Sequence, residues 1–471
     1  MTLKEAKKAH FIGIGGVGMS ATALLLKSMG VEVSGSDEAV YDPIRSLLSK
    51  QDIVWKTPYT SNNIPSNADV IIIGKNAKLV PETNEEVKAA YESGKRIYSF
   101  PEVLGELSQD KETIVVAGSY GKSTSDALLA HCLESAGLNP SYFIGAVPLT
   151  PAASAKLGSG TYFALEGDEY PSSNSDPRSK FLHLHPSHLL LTPLAHDHFN
   201  VFPTPVDYLR PFQELVTLVP AAGTLVICTE GALSQDFIKS LPRPAVTYGL
   251  TQGDFQATNI TWGEKTSFDI TKAGEKMVRI ETSQLGEHNV QNIVGVAALL
   301  FTLSAITPEQ FIAAVASFKG IKRRLDRKSE KTRIPVYEGF GSSYEKLKSA
   351  IAAMKLHYPT KELVVIFEPH TFSWRNRESL PWYDTAFEGA KEVFVFEPPQ
   401  DGKTTQLTIE EMTKRITHSG IHATSATTPE ALLAGIEKVL NENSVVLIST
   451  SGDMGGAVEQ IPTLAERMFP R

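Results

Sequence analysis

The stretch VVAGSYGKSTSDALL, residues 115–129, sets an apolar run before Gly118, turns through Gly121, and restarts as a helical pattern behind Lys122, Ser123 and Thr124. Strand, glycine turn, lysine, hydroxyl and helix, in that order, make the layout of a phosphate loop. Glycines let backbone N–H groups converge on an anion, the helix N-terminus adds its positive end, Lys122 bridges terminal phosphates, and Ser123 ligates magnesium. A complete pattern also carries glycine at position 116, where this chain has Val116. The bland alternative is a strand-to-helix turn with a surface lysine. Gly-Lys-Ser at the junction favours ATP with Mg2+, and makes Gly118, Gly121, Lys122, Ser123 and Thr124 the candidate ATP residues.

A second glycine turn stands near the start, HFIGIGGVGMSATALLL, residues 10–26. Gly13, Gly15, Gly16 and Gly18 resemble a dinucleotide fingerprint, and Asp37 follows at the end of the next strand pattern, where a ribose-reading acid sits. Alone this reads as NAD. With an ATP-type loop further on, the first turn equally suits the diphosphate of a different nucleotide.

At 471 residues the chain is too long for one core, and about three domains are expected. A net charge of -8 and a pI near 5.9 repel polyanions, so nucleic acid is excluded as a partner and any phosphate site must be local. Cys132 and Cys228 are too few for a disulfide framework, which fits a reducing compartment. MTLKEAKKAH leads into glycines rather than an apolar signal core, and no run approaches the roughly 18 apolar residues of a membrane span. The expectation is a cytoplasmic protein without a membrane partner, a monomer or weak homo-oligomer.

Short apolar runs alternate with helical patterns throughout, an α/β signature. HFIGIG, EVSGSD, ADVIIIG and KRIYSF bracket helix-like stretches in a first domain, and a polar stretch, GELSQDKET, leads into the next. TYFALEGDE, SHLLLTPLAHDH, GTLVICTEG and EKMVRIETSQLG read as further strands, the last as an antiparallel addition, and KGIKRRLDRKSEKTRIP reads as a hinge. The expected division is 1–108, 109–321 and 322–471: a Rossmann-like domain, a P-loop ATPase-like mixed sheet, and a second Rossmann-like domain.

A magnesium site needs hard oxygen ligands opposite the phosphate loop. ALEGDEYP supplies Glu166, Asp168 and Glu169 at a strand end, although such acids are as often merely solvated. LAHDHFN adds His196, Asp197 and His198, in a run with His183, His185 and His188. Zinc suits these poorly, because FLHLHP alternates like a strand and no cysteine joins it.

Taken in order, GIGGVGMS, GSYGKS, EGDE, DH, GEHNVQN and RRL resemble the layout of the Mur ligases of peptidoglycan assembly, almost end to end. VYDPIRSLLSKQ, IGAVP, DPRSKFLHLHP and VLISTSGDMGG look most like the branch attaching a preformed L-Ala-γ-D-Glu-meso-diaminopimelate tripeptide, the recycling enzymes. FEPHTFSWRNR looks closer to the L-alanine-adding branch. The resemblance implies an ATP-dependent amide ligase acting on UDP-N-acetylmuramate through an acyl phosphate, with an amino acid or peptide as acceptor. It implies Lys122 on ATP phosphates, Ser123 and Glu166 on one magnesium, and His198 on a second. It sets His288 near the substrate, Asn289 and Asn292 near the adenosine, Arg323 or Arg324 at phosphates, and Gly15, Gly16, Gly18 and Asp37 on UDP. Arg375 and Arg377 are candidates for an acceptor carboxylate, since arginine forks pair with carboxylates; a solvated turn is the bland reading.

The chain also departs from the pattern. Thr192, Pro193 and Ala195 stand where the family has an asparagine and an acid, and no lysine follows His198 within FNVFPTPVDYLRPFQELV. The family's C-terminal Asp-Tyr-x-His-His-Pro is replaced by Glu338-Gly339-Phe340-Gly341-Ser342-Ser343-Tyr344. Two other readings therefore stand beside the ligase: a nucleotide- and UDP-sugar-binding homologue with impaired turnover, and a nicotinamide oxidoreductase, which only the first loop favours.

Overall fold

The computed structural model describes residues 3–42, 44–198, 200–398 and 406–471. They fall into two compact units: Met1–Thr258 with Asp269–Ile280 and Gln291–Phe318, and Asn259–Phe268 with Glu281–Val290 and Lys319–Arg471. Three α/β sheets carry the fold.

In the N-terminal sheet the order is Val54–Lys56, Glu32–Ser36, Lys8–Ile12, Val70–Ile73, Arg96–Tyr98, and every neighbouring pair is parallel. This is the Rossmann-type order, in which the chain reverses direction beside its first strand and leaves a crevice at that strand's carboxyl end. Gly13 to Gly18 turn there into the helix Val17–Ser28. Covered on both faces, Val70–Ile73 is wholly buried, which is why it reads as an unbroken apolar run.

The central sheet is built around Glu112–Ala117, with Tyr162–Glu166 and His188–Leu191 parallel on either side. Ser141–Phe143 and the antiparallel Ala155–Lys156 extend one edge. Leu225–Cys228, Val246–Gly249, Phe255–Thr261, Thr266–Lys272 and Glu275–Thr282 extend the other. Register matters most: Val116 lies opposite Glu166, and Ala117 opposite Leu191, so three strand ends finish level with one another.

The second unit carries a six-stranded sheet in the order Arg324–Arg327, Val336–Gly339, Ser444–Ser449, Glu362–Phe367, Glu392–Phe396, His422–Ala426. Its first pair is antiparallel and the others are parallel.

Two local expectations are corrected. The strand in KRIYSF ends at Tyr98, and Phe100–Ser108 is a helix rather than a polar connector. Ser99 and Glu102 close a capping box at its start, and Pro101, Val103, Leu104 and Leu107 bury its apolar side. FLHLHP forms a 3-10 turn at Lys180–His183, because Phe181 and Leu184 are the residues driven into the core and they sit three apart, not two. The basic stretch expected as a hinge contains the edge strand Arg324–Arg327, entered with Arg323 at φ 62°.

That edge strand carries a buried acid. Asp326 is 7% exposed and accepts the Arg323 N–H at 2.6 Å, with Glu338 as its cross-strand partner. Burial, then the Glu338 charge, raise its pKa from 3.8 to about 6, against the pull of Lys328. Glu338 is itself paired with Arg323 and Lys328, and Lys328 also reaches Glu459. Because the folded state holds this proton more tightly than the unfolded chain, the stability Asp326 contributes falls as pH rises from about 4 to about 6 and stays low above. Asp326→Asn has no proton to lose. Its melting temperature should exceed the parent's at pH 7.5, by at most about 3 kcal/mol of stability, and converge with it near pH 4. Thermal melts at the two pH values check this; a gain independent of pH contradicts it.

Candidate functional site

The phosphate loop leaves its buried strand at Ala117. Gly118 has φ 135° and a side chain there would run into Thr192; Gly121 has φ 86°, caps the helix Lys122–Ser135, and has the Asn292 amide oxygen where a side chain would go. Both positions require glycine for conformation and for space. The turn is fastened to the segment after His188–Leu191. Thr192 N–H donates to Ala117 O at 2.8 Å, Ser119 N–H to Pro193 O at 2.9 Å, and Ala195 N–H to Ser119 Oγ at 2.8 Å. The missing glycine at 116 has no consequence for the turn, since Val116 is a fully buried strand residue.

Level strand ends gather the charged groups. Lys122 Nζ donates to Gly118 O at 2.5 Å and lies 2.9 Å from Glu169 Oε2. Glu169 is fully buried, and its other oxygen is 3.1 Å from His198 Nε2. Burial disfavours the Lys122 charge, but Glu169 together with Asp168 and Glu166 holds the ammonium above its ordinary pKa. The same carboxylate, by its hydrogen bond, raises His198. Beside this group Glu166 accepts from Ser123 Oγ at 2.9 Å and from Gly145 N–H at 2.8 Å. Burial raises its pKa against the opposing pull of Lys122, Ser123 and Gly145. Asp168 is lowered despite burial, because Lys180 pairs with it at 2.5 Å.

The first glycine turn is braced by its own acid. Asp37 accepts the Gly15 N–H at 2.7 Å, the Glu38 N–H at 2.8 Å and the Tyr59 hydroxyl at 3.2 Å. Gly16 is exposed at the turn, and Gly18 packs against the Phe100 ring. A cavity of about 190 Å³ opens beside the first turn: Val17 and Gly18 line it together with Gly145, Glu166, Asp168 and Lys180. The structure therefore brings Gly15, Gly16, Gly18, Asp37, Gly118, Gly121, Lys122, Ser123, Thr124, Glu166, His198 and Asn292 into one unit.

The remaining candidates belong to the second unit. His288 is exposed near the start of the helix Glu287–Thr302, and Asn289 is buried with its amide on Leu285 O at 2.8 Å. Arg323 donates to Ser451 O and Gly452 O, both at 3.0 Å, and pairs with Glu338 at 3.1 Å, so it ties the SGDMGG turn to the sheet. Arg324 is exposed. Arg375 ends the short helix Phe372–Arg375 and reaches Gln406 at 3.2 Å, while exposed Arg377 pairs with Glu411 at 3.1 Å. In the altered motif, Ser342 Oγ accepts from Lys346 at 3.1 Å.

Sequence reasoning left two residues here without roles. Glu169 was one of three acids, and nothing in their spacing separates it from Glu166. Lys180, just before FLHLHP, was given no role. A third group had a signal: Asp126 lies four residues after Lys122 and three before Leu129, on the apolar side of its helix. It is fully buried, and both its oxygens are without a hydrogen-bond partner among the described residues. Burial, then Glu166, push its pKa well above the carboxylate range.

Comparison with known proteins agrees with this architecture. Residues 8–112 match the Mur ligase family catalytic domain and residues 116–300 the Mur ligase middle domain. A UDP-N-acetylmuramate--L-alanine ligase from Hydrogenobaculum sp. (strain Y04AAS1) is 31% identical over 84% of this chain and 86% of its own. The UDP-N-acetylmuramate-alanine ligase of Thermotoga maritima superposes with a TM-score of 0.78 at 24% identity, covering 97% of this chain and 99% of that one. The UDP-N-acetylmuramate:L-alanyl-gamma-D-glutamyl-meso-diaminopimelate ligase from Neisseria meningitides is 31% identical, with a TM-score of 0.62, covering 67% of this chain and 99% of that one. Fold and relatives together define an ATP-dependent carbon–nitrogen ligase. The chain belongs to the Mur ligase family, whose members build peptidoglycan. Among the described residues no helix is long and apolar enough to cross a membrane.

Gly118→Ala tests the turn. An L-residue at φ 135° and overlap with Thr192 should destabilise the protein by about 2–4 kcal/mol and weaken ATP binding at least about tenfold. Chemical denaturation and nucleotide titration measure the two effects; a variant equal to the parent in both would mean the loop is not held as described.

Proposed function

We propose that this protein joins the carboxylate of UDP-N-acetylmuramate to the amino group of L-alanine, using ATP, in the cytoplasm. The observation that carries the reading is the meeting of Lys122, Ser123, Glu166 and, through Glu169, His198 at the ends of three aligned strands, beside a cavity shared with the first glycine turn. Residues 1–108 would hold the UDP-sugar, 109–321 ATP, and 322–471 the acceptor.

A carboxylate oxygen of the sugar attacks the γ-phosphorus as the bond to ADP breaks, giving an acyl phosphate. The amine nitrogen then attacks the acyl carbon, phosphate leaves with the C–O electron pair, and the amine loses a proton. Bringing two anions together is the main electrostatic problem, and Lys122 supplies positive charge where the phosphates lie. The Gly118–Gly121 turn offers its N–H groups to the same anion, and Gly15, Gly16 and Gly18, braced by Asp37, do so for UDP. The hydroxyl of Ser123 and the half-buried carboxylate of Glu166 are hard oxygen donors 2.9 Å apart, a set that fits Mg2+, with His198 as a further ligand. Magnesium there would neutralise phosphate charge. Asn292, against Gly121, suits the nucleotide; Asn289, His288, Arg323 and Arg324 remain candidates from the second unit.

L-alanine is preferred as acceptor because the Hydrogenobaculum relative, matched over most of both chains, carries that activity in its name. The tripeptide is the second reading, supported by the 31% identity to the Neisseria ligase and by Arg375 and Arg377 as carboxylate forks.

Lys122→Ala should lower ATP-dependent amide formation at least about a hundredfold while UDP-N-acetylmuramate binds within about twofold of the parent. Unchanged turnover would reduce GSYGKS to a turn. Initial rates with L-alanine and with the tripeptide decide the acceptor: L-alanine is expected to be the faster. A clear preference for the tripeptide moves the protein to the recycling branch, and no amide product with either favours the binding homologue. Calorimetry with UDP and NAD should give heat for UDP alone; tight NAD binding with silent UDP would restore the oxidoreductase.

A further inference from the structure

Glu169 is the fully buried acid at the centre of the site, and the mechanism above gives it no part. Its carboxylate faces two cationic or cation-forming groups at once. Lys122 Nζ is 3.3 Å from Oε1 and 2.9 Å from Oε2, and His198 Nε2 is 3.1 Å from Oε1. Few alternatives exist for either group: the Lys122 side chain is 14% exposed, and His198, at φ 57°, is wedged edge-on against the Tyr170 ring at 4.4 Å between centroids. Lys122 spends its other hydrogen bonds on the carbonyls of Gly118 and Ser119, the turn it would open towards a phosphate.

We infer that Glu169 is a positioning residue: a bridging counter-ion that holds the phosphate-loop lysine and His198 in one geometry and sets how tightly the loop grips a nucleoside triphosphate. The inference rests on the reading of GSYGKS as an ATP loop. A buried ammonium without a partner is expensive, so Glu169 keeps Lys122 charged and in place before any nucleotide arrives. The same negative charge stands beside the phosphates once they bind, and it opposes them. Lysine placement and nucleotide affinity are thus traded against each other by one side chain. Lowered affinity that applies equally to ATP and ADP does not slow the chemical step, and it lets product leave.

The test is ATP binding measured without metal, by calorimetry, together with steady-state kinetics, on the full chain. Glu169→Gln keeps size and hydrogen-bonding capacity but removes the charge. It should bind ATP roughly fivefold or more tightly than the parent, because the opposing charge is gone, while kcat falls at least about tenfold as the lysine and histidine lose their common anchor. Lys122→Ala, in parallel, should bind ATP more weakly. If Lys122→Ala binds ATP as the parent does, the phosphate-loop reading itself fails. If Lys122→Ala weakens binding and Glu169→Gln leaves the affinity unchanged or weaker, the counter-ion role alone is overturned. Should Glu169→Gln not fold, Glu169→Asp decides: its charge is retained but its shorter side chain cannot span both partners, so ATP affinity should stay within about twofold while kcat drops at least about tenfold. A parental kcat in that variant overturns the bridge.

Discussion

An ammonium ion cannot sit at the end of a buried strand unless something negative sits with it, and the central unit is arranged around that constraint. Lys122 follows directly on a turn whose preceding strand residues are fully buried, and its charge is matched by the equally buried Glu169. Removing either partner would leave the other charged and uncompensated in a place water reaches poorly. Much of the local architecture follows from satisfying this pair: the left-handed glycines that let the turn fold over the lysine, and the hydrogen bonds from Thr192, Ser119 and Ala195 that fasten it.

A second consequence is geometric. Parallel strands with matched register end together, so Lys122 and Glu166 lie near neighbouring strand ends, and the segment that follows Leu191 brings His198 to the same place. The N-terminal sheet presents its own glycine turn to the same cavity, with Phe100 packed against Gly18. The first glycine turn thus faces a space lined by Glu166, Asp168 and Lys180, and Glu166 also bonds Ser123 at the start of the phosphate-loop helix.

The second unit solves a different problem with similar means. Where the family motif is altered, Glu338 is not idle: Arg323 and Lys328 hold it, and Arg323 also clasps the carbonyls of Ser451 and Gly452. Asp326, the cross-strand partner of Glu338, has its pKa raised by burial first and by the Glu338 charge second. The basic stretch is therefore a structural clasp within this unit.

The α/β alternation, the parallel-sheet class and the two glycine turns were legible in the sequence, because periodicity and glycine placement are local properties of the chain. So was the family, from the order of the motifs. Local rules misread Phe100–Ser108 and Lys180–His183, each time because burial against a distant surface chose the period. The site divided the same way. Lys122 and Ser123 declare themselves by their place after a turn, whereas Glu166 and Glu169 are alike on the page and differ only in what faces them, a hydroxyl and a backbone N–H for one, a lysine and a histidine for the other. Which acid pairs with which cation is decided by strand register and depth of burial, and those exist only once segments some 45 to 75 residues apart along the chain have been brought side by side.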